Sequence, residues 1–334
     1  MNNKITIGCD ISKEKLDFFC RNTEEHFILE NNKDGMLQLS KWIKQHKFNK
    51  SEIEIGFEHT GIYTTAIRQF CNEEKLTHYI IPGLELKKSL GMARGKNDVV
   101  DSKRICEYVF EKSYKLKPTN AINTSISNLK RLDSLREKLV SDRAGLITRM
   151  NEEIEMLELN ETDFGIKIQK DMIAMLSEKI ELIDAEMEIE LTKDISIKKN
   201  FDLLSTIVGI GKITAYQLII TTENFIKFDN PRKYASYAGV APFTKQSGKS
   251  EGRTKVSGLA NKKVKSLLDM CARSAMLNDP ELKLYYKRKV LEGKNNRLVR
   301  NAIRFKLLTR VFSVIKKQTP FVKNHVNNLV ISMS

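Results

Sequence analysis

Three short runs rich in β-forming residues open the chain: KITIGCD (4–10), LDFFCR (16–21) and HFILEN (26–31), with turn residues between them. β-Branched and aromatic side chains favour strands over helices. Runs of this length, joined by so few residues, are typical of strands that follow one another as neighbours. They predict that the fold begins with a three-stranded meander.

After this meander, helical and strand patterns alternate. Helical spacing of apolar residues covers 35–46, the strand EIEIGFE covers 52–58, a second helix covers 61–72, and the strand HYIIP covers 78–82. Three strands followed by crossover units are the order of an α/β domain of the ribonuclease H-like kind. We expect such a domain over residues 1–120.

Residues 121–199 carry apolar residues at spacings of three and four, contain no proline, and hold 12 basic against 17 acidic residues. The stretch LNETDFG (159–165) interrupts the pattern. This predicts an acidic spacer of two long helices, forming either an antiparallel hairpin or a dimeric coiled coil. The predicted stripes are Leu129, Leu132, Leu135, Leu139, Leu146, Met150, Ile154 and Leu157 on the first helix, and Ile173, Leu176, Ile180, Ile183 and Met187 on the second.

The positive charge of the chain is concentrated near its C-terminal end. Residues 230–317 hold 22 Lys and Arg against 5 Asp and Glu, whereas the formal net charge of the whole chain is +15. One strongly basic domain among neutral or acidic ones is expected when that domain faces a polyanion. An acidic protein or a membrane surface is the alternative to nucleic acid. We expect residues 200–334 to form a basic, mostly α-helical domain.

The cysteines and the hydropathy exclude several classes of protein. The five cysteines are odd in number, widely spaced and without a C-x-x-C pair, which argues against a disulfide framework or a zinc ribbon. No stretch of 18 uncharged apolar residues occurs, and Asp10 falls before a signal-type apolar core is complete. We therefore expect a cytoplasmic protein with free thiols and no membrane partner.

Four acidic residues occupy positions at which α/β folds build their sites. Asp10 and Glu58 each end a predicted strand, and such ends meet at the carboxyl edge of a parallel sheet. Asp98 and Asp101, within KNDVVDSKRI (96–105), begin a predicted helix and share one of its faces. Taken singly, each is more simply an ordinary turn or helix-start residue. Brought together, four carboxylates would suit Mg²⁺ or Mn²⁺ in phosphodiester chemistry.

The run VGIGKITA (208–215) places two glycines between apolar helical segments. One interpretation is a helix-hairpin-helix-like motif, in which Gly209, Gly211 and Lys212 bind a nucleic-acid phosphate at a helix start. The alternative is a tight turn between two closely packed helices. A dinucleotide-binding fingerprint is excluded, because no strand precedes the run and Thr214 stands at the third glycine position.

The polar loop APFTKQSGKSEGRTKVSG (241–258) carries Ser247 among basic residues that could hold a phosphate near its hydroxyl. A serine must lose its proton to attack, and no histidine is nearby in sequence, so an activating base would have to come through folding. From spacing alone, Ser247 is more simply a polar loop residue. The basic residues of this loop are Lys245, Lys249, Arg253 and Lys255.

Five stretches, taken in order, resemble one known family. They are ITIGCDISKEKLDF (5–18), GFEHTG (56–61), KNDVVDSKR (96–104), GIGKITA (209–215) and SYAGVAPFTKQSGKS (236–250). Together they are similar to the DEDD insertion-sequence transposases, the group that includes the Piv DNA invertases. The resemblance covers nearly the whole chain. It implies a RuvC-like N-terminal domain, a coiled-coil spacer and a C-terminal transposase domain.

The resemblance also implies the site and its partners. Ser247 would be the nucleophile that becomes joined to DNA, with Ser250 as the alternative serine. Cooperating subunits, as a dimer or tetramer, would exchange strands between element ends and target DNA, guided in some members by a structured noncoding RNA. A junction-resolving endonuclease without serine chemistry and a non-catalytic nucleic-acid-binding protein are the alternative functions. The implied catalytic metal ligands are Asp10, Glu58, Asp98 and Asp101.

Overall fold

The protein divides into two compact units, Met1–Ile122 and Asn123–Ser334. Each unit has a hydrophobic core of its own. In the part of the chain described, no helix combines the length and the apolar character needed to span a membrane. The computed structural model describes residues 4–89, 98–119, 121, 123–243, 246–247, 250–251, 255–256 and 260–322, and of residues 98, 242, 243, 246, 247, 250, 251, 255 and 256 it describes the backbone only.

The first unit is built on the strands β1 (Ile5–Ile11), β2 (Lys15–Cys20), β3 (Glu25–Glu30), β4 (Ile53–Glu58) and β5 (Thr77–Ile81). They form one sheet in the order β3-β2-β1-β4-β5. The first three strands pair antiparallel, whereas β4 runs parallel to β1 and β5 runs parallel to β4. The predicted mixed α/β sheet is therefore confirmed.

Helices cover both faces of this sheet. On one face, α1 (Lys33–Gln45) and α2 (Thr65–Glu73) enclose the larger core. On the other face, α3 (Gly83–Ser89) and α4 (Asp98–Lys112) enclose a smaller one. β1 and β4 are therefore buried along most of their length, although each carries polar residues. Single 3₁₀ turns cover Lys50–Glu52 and Gly61–Thr64.

α4 lies directly on the backbone of β1 and β4. Gly8 and Gly56 are register partners on these strands. A Cβ atom on Gly8 would overlap the carbonyl oxygen of Ser102 and the amide of Cys106, and one on Gly56 would overlap the side chain of Val109. A backbone approach this close requires glycine. The two glycines therefore set both the distance and the rotation of α4 above the sheet.

We expect Gly8→Ala to destabilise the first unit by about 1–3 kcal/mol, because overpacking a closed contact forces the backbone to shift. Denaturant unfolding followed by circular dichroism measures this. Gly145→Ala is the control, because no atom lies within 4 Å of the Cβ it would add on an open helical surface. That alanine should stabilise its helix by up to about 1 kcal/mol. An unchanged unfolding free energy for Gly8→Ala would contradict the close contact.

The second unit is mostly helical, as predicted. Its core is centred on one helix in which residues 214–220 are all buried. Among the described residues of this unit, four two-residue strands lie between helices. The helices are α5 (Thr124–Leu157), α6 (Phe164–Thr192), α7 (Ile195–Ser205), α8 (Lys212–Thr222), α9 (Pro231–Tyr237), α10 (Lys262–Asn278), α11 (Pro280–Leu291) and α12 (Asn296–Lys317), and the strands are β6 (Pro242–Phe243), β7 (Gln246–Ser247), β8 (Ser250–Glu251) and β9 (Lys255–Val256).

The long helices α5 and α6 pack side by side in opposite directions. In the hydrogen-bonded pairs between the two helices, the residue number on α6 decreases as the residue number on α5 increases. This is the pattern of an antiparallel hairpin. Asp163 caps α6, because its carboxylate accepts from the amides of Gly165 and Ile166. The hairpin is thus present, while a coiled coil between two chains stays a prediction. The hydrogen-bonded pairs are Asn128–Glu190, Arg136–Asp184, Arg143–Ser177 and Glu153–Gln169.

Candidate carboxylate site

Asp10 and Glu58 lie at the carboxyl ends of the neighbouring parallel strands β1 and β4. The register of the two strands runs up to the residues just before them, so they stand side by side at one edge of the sheet. Because side chains alternate along a strand, Asp10 shares a face with Gly8, and Glu58 shares a face with Gly56. Both glycines lie under α4. Both carboxylates therefore project on the face that α4 covers.

The direction of α4 brings its N-terminus to the same edge. The backbone of Ser102 lies against Gly8, and the thiol of Cys106 contacts the carbonyl oxygen of Thr6 at 3.2 Å. The helix α4 therefore runs antiparallel to β1. The first turn of α4 accordingly lies toward the strand end that carries Asp10.

The two predicted helix aspartates stand in this first turn. Asp98 is the first described residue of α4, and its side chain lies outside the described residues. The side chain of Asp101 is 27% exposed, and its Oδ1 accepts a hydrogen bond from Nη1 of Arg104 at 3.0 Å. One carboxylate of the pair is thus placed on the helix face by an ion pair within its own turn.

Room for the carboxylate of Glu58 comes from an absent side chain. A Cβ atom on Gly83 would overlap Oε1 of Glu58. Our sequence reasoning missed Gly83, as it missed Gly8 and Gly56. The sequence did carry a signal for Gly8 and Gly56, because each stands two residues before a carboxylate at the end of its strand. A residue two positions away on a strand lies on the same face of the sheet. His59, which we did not assign to the site, is exposed and accepts a hydrogen bond from the amide of Gly61.

The carboxylate set fits a divalent metal by its chemistry. Asp10, Glu58, Asp98 and Asp101 offer only hard oxygen donors, which Mg²⁺ and Mn²⁺ prefer. Among the side chains described, no three His, Cys, Asp or Glu lie close enough together to hold a metal ion. The side chain of Asp98 is not among them. The four-ligand site therefore stays a prediction.

The neighbouring cysteine is not a competing nucleophile. Cys9 is completely buried beside Asp10. Burial raises the pKa of the Cys9 thiol well above its usual value, and the carboxylates of Asp10 and Asp17 raise it further. The thiol therefore stays protonated at neutral pH. All five cysteines are buried and free, so the expectation of free thiols is confirmed.

In the second unit, the glycine motif forms the turn between α7 and α8. Gly209 has a φ of +95°, and a Cβ there would come within 2.8 Å of the carbonyl oxygen of Cys271 on α10. Close packing thus accounts for this glycine. Gly211, at the start of α8, faces open space, and Lys212 forms an ion pair with Glu188 at 2.5 Å. Phosphate binding by this turn stays a prediction.

The serine loop is described through its backbone strands. β7 and β8 pair antiparallel, and this register places Ser247 opposite Ser250. The two alternative serines are therefore direct neighbours across one ladder. β9, which contains Lys255, pairs with β6. The side chains of Ser247, Ser250 and Lys255 and the whole of Lys245, Lys249 and Arg253 lie outside the described residues.

Comparison with known proteins identifies the family of the chain. Residues 7–157 match a family of the IS110 DEDD type described as "Transposase", and residues 201–287 match the "Transposase IS116/IS110/IS902 family". Over 332 residues, the chain is 30% identical to the pilin gene-inverting proteins of Moraxella bovis and Moraxella lacunata, covering 96% of this chain and 98% of each relative. The chain belongs to the IS110 family of transposases.

A third relative of the transposase matches over a shorter range. It is an uncharacterized 43.6 kDa protein of insertion element IS110 from Streptomyces coelicolor, 33% identical over 94 residues, which are 28% of this chain and 23% of that protein. The family resemblance of the motifs is confirmed, and the transposase is an enzyme of the transposase and DNA recombinase class. Every predicted site residue falls within one of the two ranges matched by the family.

Proposed function

We propose that this chain is the transposase and site-specific recombinase of a mobile element, cutting DNA strands and rejoining them in a new order. The observation that carries this proposal is the convergence of Asp10, Glu58 and the first turn of α4 on one face and one edge of the sheet. Membership of the IS110 family supplies the reaction class. The strand order β3-β2-β1-β4-β5 supports a ribonuclease H-like, RuvC-like identity for residues 1–120.

The carboxylate site acts with a divalent metal. Asp10, Glu58, Asp98 and Asp101 would hold Mg²⁺ or Mn²⁺, with their negative charges balanced by the ions. When bound, such ions supply a polarised phosphate and a more acidic attacking group. The contribution of the protein is to hold the four carboxylates on two strands and one helix, so that few of their positions depend on flexible loops.

Ser247 supplies the covalent step. Its Oγ attacks a backbone phosphorus atom, a bond between phosphorus and the serine oxygen forms, and the bond from phosphorus to one sugar oxygen breaks. The released sugar hydroxyl takes up a proton as the serine loses one. A second sugar hydroxyl then reverses the exchange and frees the serine. One phosphodiester bond is made for each one broken, so rejoining requires no external energy source.

The remaining segments position the nucleic acid and the subunits. The acidic spacer, residues 121–199, forms a coiled coil that sets the spacing between protomers of a dimer or tetramer. The basic domain, residues 200–334, binds the element ends and the target DNA, and binds a structured noncoding guide RNA if the element encodes one. Phosphates are held by Gly209, Gly211, Lys212, Lys245, Lys249, Arg253 and Lys255.

The experiment uses the full chain on a plasmid that carries the element with its flanking DNA. New junctions, detected by sequencing, are expected with Mg²⁺, are lost when EDTA removes the ion, and return when Mg²⁺ is restored. DNA binding should persist in EDTA, because lysine and arginine contacts do not need the metal. Junction formation at an equal rate in EDTA would contradict the metal-dependent site.

Nucleic acid that copurifies with the protein separates guided from unguided recombination. One discrete RNA species whose segments match both donor and target DNA would support guided recombination. Random fragments of cellular nucleic acid would instead indicate plain phosphate binding by the basic domain.

A further inference from the structure

The face of the sheet that carries Asp10 and Glu58 holds two similar lysine–carboxylate pairs, one at each end of the strands. At the amino end, Lys4 pairs with Glu54, with side chains 43% and 5% exposed. At the carboxyl end, Lys15 pairs with Asp17 at 3.4 Å, with side chains 43% and 3% exposed. The two pairs have the same chemistry and the same burial. They differ in their distance from the carboxylate site.

Each buried carboxylate has a second partner. Glu54 accepts a hydrogen bond from the hydroxyl of Tyr79 at 3.1 Å. Oδ1 of Asp17 lies 3.3 Å from Nε2 of His26 on β3, which is within ion-pair distance but lacks hydrogen-bond geometry. A buried carboxylate is costly without such partners, so each pair has a clear structural purpose. Neutralising the buried carboxylate explains why an ammonium group lies beside Asp17. It does not explain why this lysine lies at the edge of the sheet that carries Asp10 and Glu58.

The location of Lys15 follows from strand register. Asp10 on β1 is the direct partner of Asp17 on β2. Lys15 stands two residues before Asp17 and therefore lies on the same face. A diagonal neighbour across a strand pair is about 7–8 Å away between Cα atoms, which is within reach of a long side chain. Lys15 is thus the diagonal neighbour of Asp10 at the edge where the candidate ligands meet.

We propose that Lys15 binds a non-bridging oxygen of the DNA phosphate that is cut at the carboxylate site, and that buried Asp17 positions it. This inference rests on the proposed recombinase function. An ammonium group has three N–H donors, so a contact with Asp17 is compatible with a contact to phosphate. A phosphate approaching four carboxylates meets strong repulsion. A fixed cation beside Asp10 lowers that repulsion.

The test compares Lys15→Ala with Lys4→Ala, its matched control. Both variants leave a buried carboxylate without its lysine, so both should lose thermal stability by similar amounts. At a temperature where both are folded, Lys15→Ala should cut DNA about 10²-fold more slowly, the usual effect of removing one preorganised donor. Lys4→Ala should cut at the wild-type rate. Lys15→Arg, which keeps a cation, should recover part of the loss.

DNA affinity gives a second readout that a purely structural role would not change. Loss of one phosphate contact should reduce the slope of log K against log salt by about 0.9 on duplex DNA. We expect that change in Lys15→Ala and an unchanged slope in Lys4→Ala. Equal cutting rates and equal slopes in the two variants would overturn the inference.

Asp10→Ala separates this inference from the proposed function. If Asp10→Ala loses recombination while Lys15→Ala matches Lys4→Ala, the carboxylate site stands and only the role of Lys15 is wrong. If Asp10→Ala recombines normally, the proposed function fails first. Asp17→Asn, which keeps the shape of the carboxylate but removes its charge, should slow cutting and be partly rescued by lower salt.

Discussion

Replacing Asp10 or Asp101 by alanine is expected to abolish recombination and to leave the first unit folded. Removing one member of a cooperating catalytic set costs roughly 10³-fold or more in rate. The fold should not suffer, because the loss of one anion from a group of four relieves repulsion when no metal is bound. Quantitative amplification of the new DNA junctions measures the first effect. Thermal unfolding by circular dichroism measures the second.

Two further variants make the result specific. Asp34→Ala removes an exposed carboxylate from α1, on the opposite face of the sheet, and should recombine normally. Asp101→Asn keeps an oxygen that can accept from Arg104 but removes the charge. If accepting the hydrogen bond from Arg104 were the whole purpose of Asp101, the asparagine variant would retain much of its activity. Full recombination by Asp10→Ala would contradict the metal site itself.

The second large effect concerns the covalent intermediate. On a nicked suicide substrate, in which the released strand diffuses away, the wild-type chain should accumulate a protein–DNA adduct. The adduct forms because rejoining needs the hydroxyl that has been lost. Ser247→Ala should give none, since alanine has no oxygen to attack phosphorus. Denaturing gel electrophoresis of labelled DNA followed by protease digestion detects the adduct.

Ser250→Ala is the matched control for this experiment. Ser250 is the register partner of Ser247 across the ladder formed by β7 and β8. An adduct that survives in Ser247→Ala and disappears in Ser250→Ala would identify Ser250 as the nucleophile. Metal-dependent cutting without any adduct would favour a junction-resolving endonuclease that uses water. Binding without any cutting would favour a non-catalytic nucleic-acid-binding protein.

Much of the fold could be predicted because its signals are local. Strand and helix periods in the first 82 residues and the break before Phe164 depend on neighbouring residues only. Strand ends also indicated Asp10 and Glu58 as site candidates, because the carboxyl edge of a parallel sheet follows from strand direction. These predictions required no knowledge of which residues touch across the fold.

The features that could not be predicted depend on contacts between distant segments. Leu135 and Leu157 were expected in the apolar stripe of α5, yet they are 49% and 64% exposed, and Arg136, next to Leu135, reaches Asp184 on α6. Asp17 reads as an ordinary charged residue between apolar ones until the pairing of β2 with β1 and β3 is known. Gly83 has no sequence signal of its role, because the atom it makes room for belongs to Glu58.

The contact of α4 with Gly8 and Gly56 makes this stretch of chain intolerant of changes in length. A helix turns about 100° and rises about 1.5 Å per residue. One residue inserted just before Ser102 would swing both aspartates a quarter of the way round the axis, while the glycine contacts held the rest of the helix in place. Two whole turns would nearly restore the angle but move the aspartates about 10 Å along the axis. Val99 and Val100, each 39% exposed, can be substituted, whereas an insertion or a deletion between the two aspartates is not tolerated.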